Sequence, residues 1–166
     1  GNQLVLPGGT VINQTRYAKS VYTYTTNFGP TIFSPETTIN TTGQGLIFDV
    51  MRNKVKINSV LMKFANAGLG AIEIRNPANV VIFTKSFIAK AAGIQRVDLD
   101  VSLSIGTGYR MLLNTNPGLT IATTSYTSFP QMIPTVISIT NSTTVSQYNF
   151  FYDWNITYDA CVSNVV

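Results

Sequence analysis

Apolar side chains at every second position run through most of this sequence, and this period of two sets the class of fold. The clearest case is residues 97–103 (VDLDVSL). Such alternation is typical of a strand that is half-buried in an antiparallel sheet. Helical periodicity is nearly absent, since only residues 86–92 tolerate a helix before Gly93. The chain is therefore predicted to be all-β.

Turn-forming residues separate these runs at the spacing of a β-sandwich or jelly roll. A length of 166 residues suits one domain. We predict one antiparallel, jelly-roll-like β-sandwich over residues 1–166, with about nine to eleven strands. Residues 1–15 are expected to form an N-terminal arm or edge strand. Residues 25–45, rich in Thr, Asn, Pro and Gly, are expected to form a long loop region with one short strand.

Two local features are predicted in more detail. The apolar positions shift from odd to even numbers between Ile57 and Val60. Because this shift would invert the faces of a regular strand, we expect a β-bulge near Asn58 and Ser59. The sequence NPAN at 76–79 indicates a turn that joins two strands in a hairpin.

The most distinctive strand is predicted at 148–158, where one face is aromatic and the other mostly polar. The apolar face consists of Tyr148, Phe150, Tyr152, Trp154, Ile156 and Tyr158. Large aromatic side chains contribute strongly to a core when they are buried. This face is therefore expected to point into the sandwich.

Composition argues against most enzymes. The chain has no His, which excludes Ser-His-Asp triads and His-ligated zinc. Asp98 and Asp100 share one strand face, and Glu73 alternates with isoleucines, so all three are expected to be solvated rather than catalytic. Cys161 is the single cysteine, which excludes an intrachain disulfide and predicts a small buried side chain. We predict that the protein is not an enzyme.

Charge and hydropathy also limit the partners. The net charge is +4, but the basic residues are scattered rather than clustered on one face as nucleic-acid binding requires. No stretch approaches the roughly 20 apolar residues of a membrane span. We therefore expect neither nucleic acid nor membrane insertion, and a glycan or neighbouring protein domains or subunits as partners.

Aromatic residues in polar surroundings indicate a candidate glycan site. Tyr22, Tyr24, Tyr126 and Phe129 are surrounded by Thr, Ser and Asn. Rings with neighbouring hydroxyls and amides suit sugar faces, through stacking and hydrogen bonds. The alternative is that some of these rings cap the sandwich.

A candidate calcium site lies near the C-terminus. Asp153, Asn155 and Asp159 offer oxygen ligands, and the first two share a face of the predicted strand. A structural Ca²⁺ is thus the one cofactor that the sequence suggests.

Residues 45–166 resemble a β-sandwich module found in secreted and cell-surface multidomain proteins of the Bacteroidota, which are adhesin-like and exported by type IX secretion. The matching landmarks are LIFDV at 46–50, AIEIR at 71–75, GTGYRM at 106–111, SYTSFP at 125–130, VISIT at 136–140, YNFFYDWNI at 148–156 and Cys161. The resemblance implies a secreted β-sandwich within a larger surface protein, and no catalytic residues.

These observations together favour a non-catalytic extracellular module for adhesion or surface display that binds glycans through exposed aromatics. The alternative is a purely structural spacer or a self-assembling subunit of a surface filament or shell. In that case exposed strand edges and the N-terminal arm would pair with a neighbour.

Overall fold

The computed structural model of the chain describes residues 4–5, 11–12, 20–31, 36–39, 41–116, 119–122 and 128–162. Within these ranges, no helix is long and apolar enough to cross a membrane. The strands are β1 (Leu4–Val5), β2 (Val11–Ile12), β3 (Ser20–Phe28), β4 (Glu36–Ile39), β5 (Gly45–Val50), β6 (Val55–Phe64), β7 (Gly68–Arg75), β8 (Val81–Ala89), β9 (Gly93–Leu103), β10 (Gly106–Thr115), β11 (Leu119–Ala122), β12 (Gln131–Ile133), β13 (Ile137–Ser142) and β14 (Tyr152–Val162). The predicted all-β fold class is confirmed.

Eight of the longer strands pair two by two, from the two ends of the chain towards its middle. The first pairs with the last, β3 with β14, and the following pairs are β5 with β10, β6 with β9, and β7 with β8. Two antiparallel sheets result. Sheet I has the order β3-β14-β6-β9 and sheet II the order β12-β13-β5-β10-β7-β8, while β11 and β4 extend sheet I from the end of β6. This winding is that of a jelly roll, so the predicted sandwich is confirmed.

The core lies between the two sheets, and Trp154 is at its centre. Its buried ring packs edge-on against Phe48 of sheet II, with ring centroids 5.2 Å apart, and against Phe28, with centroids 5.8 Å apart. The indole Nε1 donates a hydrogen bond to the carbonyl of Phe151, at 2.7 Å. The predicted burial of the aromatic face is confirmed, although Tyr158 is only partly buried.

The strand predicted from residue 148 begins only at Tyr152. Phe150 has a φ of +64°, so the chain turns there instead of staying extended. As a result Phe150 and Phe151 are both fully buried, although alternation placed Phe151 on the polar face. The prediction of a regular strand was therefore wrong for residues 148–151.

The predicted bulge at Asn58 and Ser59 is confirmed. Ser59 and Val60 are neighbours in sequence and both are buried. On the neighbouring β9, Leu99 and Asp100 stand against the single residue Asn58, because Ile57 faces Val101 and Ser59 faces Asp98, so β9 has one extra residue here. The register with β14 also shifts at this point. Against β14 the extra residue is Asn58 itself, since Ile156 faces Ile57 and Asn155 faces Ser59, and the apolar side chains of both halves of β6 are buried or partly buried.

Four further features that the sequence indicated agree with the structure to different degrees. Of the arm at 1–15, the described residues form β1 and β2, which pair with each other. Residues 25–28, expected in a loop, continue β3 because they pair with β14, and the expected short strand is β4. Residues 86–92, which tolerate a helix, are not helical, since residues up to Ala89 belong to β8 and pair with β7. The turn at 76–79 joins these two strands as predicted.

Candidate functional site

Part of the β3–β14 pair extends beyond the rest of sheet I. The pairing of β14 with β6 ends where Thr157 faces Lys56, whereas its pairing with β3 continues to Val162 opposite Ser20. The extension consists of residues 20–24 of β3 and 158–162 of β14.

Two predicted glycan-binding residues lie on this extension. Tyr22 and Tyr24 are two residues apart on one strand, so they point to the same face, and their side chains are 52% and 47% exposed. The ring of Tyr24 stacks on Tyr158, with centroids 5.9 Å apart and an angle of 22° between the planes. The guanidinium of Arg52 lies 5.8 Å from the centroid of the Tyr158 ring. We call Tyr22, Tyr24, Tyr158 and Arg52 the tyrosine platform.

Packing holds the platform in place. Tyr158 packs against the hydrophobic core. The Nη1 of Arg52 donates a hydrogen bond to the carbonyl of Asp159, at 2.9 Å. A cation against an aromatic face contributes about 0.5–1 kcal/mol at exposed sites. Tyr158 and Arg52 are thus held in position before any ligand binds, and Tyr24 stacks on Tyr158.

A depression of about 500 Å³ adjoins the platform at Arg52. Its lining residues combine exposed apolar side chains with polar and charged ones, and they are Val21, Met51, Arg52, Asn53, Lys54, Ile105 and Asp159. Arg52 belongs to both the depression and the platform, whereas none of the three tyrosines lines the depression. This combination of apolar surface with a few polar groups is that of a binding site.

The other two predicted glycan residues do not join the platform. Phe129 is half-buried and packs on the core, where its ring stacks on the buried Tyr148 with centroids 5.8 Å apart and an angle of 11° between the planes. Tyr126 lies outside the described residues. Sequence reasoning missed Arg52 and assigned Tyr158 only to the core, because neither its contact with Tyr24 nor that with Arg52 follows from sequence spacing.

The three predicted calcium ligands lie in two separate places. Asp153 forms an ion pair with Arg96 and accepts hydrogen bonds from Asn27. Asp159 lies four residues beyond Asn155 on the same strand, about 13 Å away at the rise of a β-strand, and accepts a hydrogen bond from the hydroxyl of Thr23. The described residues contain no group of three His, Cys, Asp or Glu side chains able to hold a metal ion. Calcium binding stays a prediction.

The remaining carboxylates that the sequence drew attention to lie on different sheets. Asp98 and Asp100 are exposed on β9 of sheet I, and Asp100 pairs with Lys56 at 2.7 Å. The hydrogen bond and the positive charge of Lys56 lower the pKa of Asp100 below its ordinary value. Glu73 lies on β7 of sheet II. These groups therefore do not face one another across a shared cleft.

Comparison with known proteins adds little to this geometry. No family model matches the chain, and no curated protein matches it. A solved structure of infectious bursal disease virus, Gx strain, aligns with 96% of this chain at 11% sequence identity and a TM-score of 0.24. The alignment spans 36% of the viral chain. Similarity at this level assigns neither a family nor a function.

Proposed function

We propose that the protein is a non-catalytic extracellular module for adhesion or surface display that binds glycans through the tyrosine platform. The observation that supports this most directly is the pair of half-exposed tyrosines, Tyr22 and Tyr24, on one face of β3. Secretion and a place in a larger surface protein are part of the same proposal.

The physical argument concerns exposed aromatic area. Tyrosine side chains lose apolar contact with water when a ligand covers them, and their hydroxyls still form hydrogen bonds. The apolar face of a sugar ring can cover such a ring, while its hydroxyls reach Arg52 or the hydroxyl of Tyr24. Because Tyr24 is already stacked on Tyr158, little conformational freedom is lost on binding.

A glycan array followed by calorimetry on the best binder tests this proposal. Tyr22→Ala and Tyr24→Ala should each weaken binding about tenfold or more, since each removes one large apolar contact. Ile88→Ala is a matched control, because Ile88 is an exposed apolar side chain on sheet II, 67% exposed. The proposal fails if the array shows no saturable binding, or if binding survives both tyrosine variants.

The alternative function, a self-assembling subunit or spacer, is favoured by one edge of the sandwich. Val80, Val81 and Ile82 are 56%, 43% and 46% exposed at the start of β8, the outermost strand of sheet II. A strand edge rich in exposed apolar side chains can pair with another chain. Jelly rolls occur both in lectins and in capsid shells, so the fold does not choose between the two functions.

Sedimentation velocity over a range of concentrations separates the alternative from the main proposal. A shell or filament subunit should assemble as its concentration rises, and Ile82→Lys should abolish that assembly. Removing residues 1–15 tests the part played by the arm in the same way. A protein that stays monomeric throughout while binding glycans would exclude the alternative.

A further inference from the structure

Two arginines lie directly opposite each other on the outer face of sheet II. Arg75 on β7 and Arg110 on β10 are partners in the antiparallel register. Like charges in this position repel each other and destabilise a sheet. Neighbouring negative charge or a bound anion would offset this repulsion.

The carboxylates nearby neutralise only part of this charge. Glu73 accepts two hydrogen bonds from Arg75 through Oε2, at 2.8 and 3.1 Å, and one from Asn114 through Oε1, at 2.6 Å. Asp49 on β5 accepts a hydrogen bond from the backbone N–H of Gly108, at 2.7 Å. Among the described residues no carboxylate forms an ion pair with Arg110.

Arg110 lines a surface depression of about 430 Å³. The depression is lined by polar and apolar groups of β5, β7, β10, β13 and the loops beside them, namely Gly43, Ile47, Arg75, Asn79, Arg110, Leu112, Ser142 and Thr143. Asn79 accepts a hydrogen bond from Nη1 of Arg110, at 3.1 Å, and the turn at 76–79 holds its backbone. The hydroxyls of Ser142 and Thr143 both bind the backbone of Gly45. Local contacts thus fix these lining groups in position.

We infer that this depression binds the carboxylate of an acidic saccharide, with Arg110 as the principal ligand. The planar guanidinium matches a carboxylate through two parallel hydrogen bonds. Ile47, which is half-buried, offers apolar contact to the sugar ring beside it. The anion site is independent of the tyrosine platform, which lies on the other sheet. The choice of a saccharide to carry the anion rests on the proposed function.

The test compares trigalacturonate with the neutral galactotriose by ¹⁵N NMR titration of the whole chain. Trigalacturonate should shift the amide signals of residues 75, 79 and 110, and galactotriose should not. Arg110→Gln should weaken trigalacturonate binding about tenfold or more. Arg110→Lys keeps the charge but lacks the planar fork, so it should weaken binding as well. Lys90→Gln is a matched control that removes the same charge elsewhere.

Several outcomes would overturn the inference. Equal binding of galactotriose in the depression would exclude recognition of the carboxylate, and equal weakening by Lys90→Gln would reduce the effect to net charge. Sulfate that bound as tightly as trigalacturonate would exclude a saccharide site. If Arg110→Gln unfolds the protein, trigalacturonate binding by the Arg110→Lys variant alone tests the inference. Tyr22→Ala should leave trigalacturonate binding at this site unchanged, so the platform and the arginine site can fail separately.

Discussion

Arg96 joins β9 to Asp153 of β14 across the strand that lies between them. Its Nη2 forms an ion pair with the carboxylate of Asp153, and its Nη1 donates to the carbonyl of the same residue, at 2.9 Å. Nη1 also lies 3.3 Å from the hydroxyl of Ser59, at the bulge of β6. From the other side, Asn27 of β3 donates to both carboxylate oxygens of Asp153, at 2.9 and 3.0 Å. One carboxylate therefore connects strands from both edges of sheet I.

Arg96→Gln should lower the free energy of unfolding by about 1–3 kcal/mol. The side chain of Asp153 is only 14% exposed, so its charge would lose its strongest partner while it stays mostly out of water. Urea unfolding measured by circular dichroism gives the difference. Arg110→Gln is the control, because the same change at Arg110 removes a hydrogen bond to Asn79 but no ion pair. Equal losses in the two variants would contradict the role given to Asp153.

Gly70→Ala should destabilise the protein by about 1–3 kcal/mol through overpacking. A Cβ at Gly70 would lie 2.1 Å from the ring of Phe87, its partner across the β7–β8 pair. That ring also packs on Phe64, with centroids 5.6 Å apart. Thermal unfolding measures the loss. In the background of Phe87→Leu the same substitution should cost much less, and an undiminished cost would show that the ring is not the cause.

Most of the fold could be predicted because the patterns that specify its strands involve residues that are close in sequence. The alternation at 97–103 predicts a half-buried strand, and the odd-to-even shift around Asn58 predicts the bulge, since both depend only on neighbours in sequence. The left-handed backbone at Phe150 is different. Phe is not a residue that favours positive φ, so the turn that buries both Phe150 and Phe151 follows from packing across the sandwich.

The candidate sites were predictable only in part, for the same reason. The exposed pair Tyr22 and Tyr24 follows from alternation on one strand. The contact of Arg52 with Tyr158 and the register of Arg75 with Arg110 join segments that are distant in sequence. Such pairings depend on the strand order of the jelly roll, and spacing along the chain does not determine that order.

Lys56→Met should raise the pKa of Asp100. The hydrogen bond and charge of Lys56 are the main causes that hold this pKa below 3.8 in the folded protein. A carboxyl group whose pKa is lower in the folded than in the unfolded protein stabilises the fold at pH values above its unfolded-state pKa. This stabilisation disappears as the pH falls through the folded-state pKa. The wild type should therefore lose this contribution below about pH 4, and in the variant only the smaller part that comes from the charge of Lys85 should remain.

NMR titration of the Asp100 carboxyl carbon measures this effect directly. Lys85→Met should raise the same pKa by a smaller amount, because Lys85 acts only through its charge. Lys90→Met, which removes a charge outside this group, is the control. A titration curve of Asp100 that is identical in wild type and Lys56→Met would contradict the assignment.

Trp154→Phe should destabilise the protein by about 2–4 kcal/mol. The substitution removes the hydrogen bond from Nε1 to the carbonyl of Phe151, which stays buried without that donor, and leaves part of the space between Phe28 and Phe48 unfilled. Far-ultraviolet circular dichroism in urea measures the loss without relying on the indole. Because Trp154 is the single tryptophan and is fully buried, its fluorescence in the wild type should resist quenching by acrylamide until unfolding. Fluorescence that acrylamide quenches readily in the native state would contradict the central position of this ring, and with it the packing of the two sheets around it.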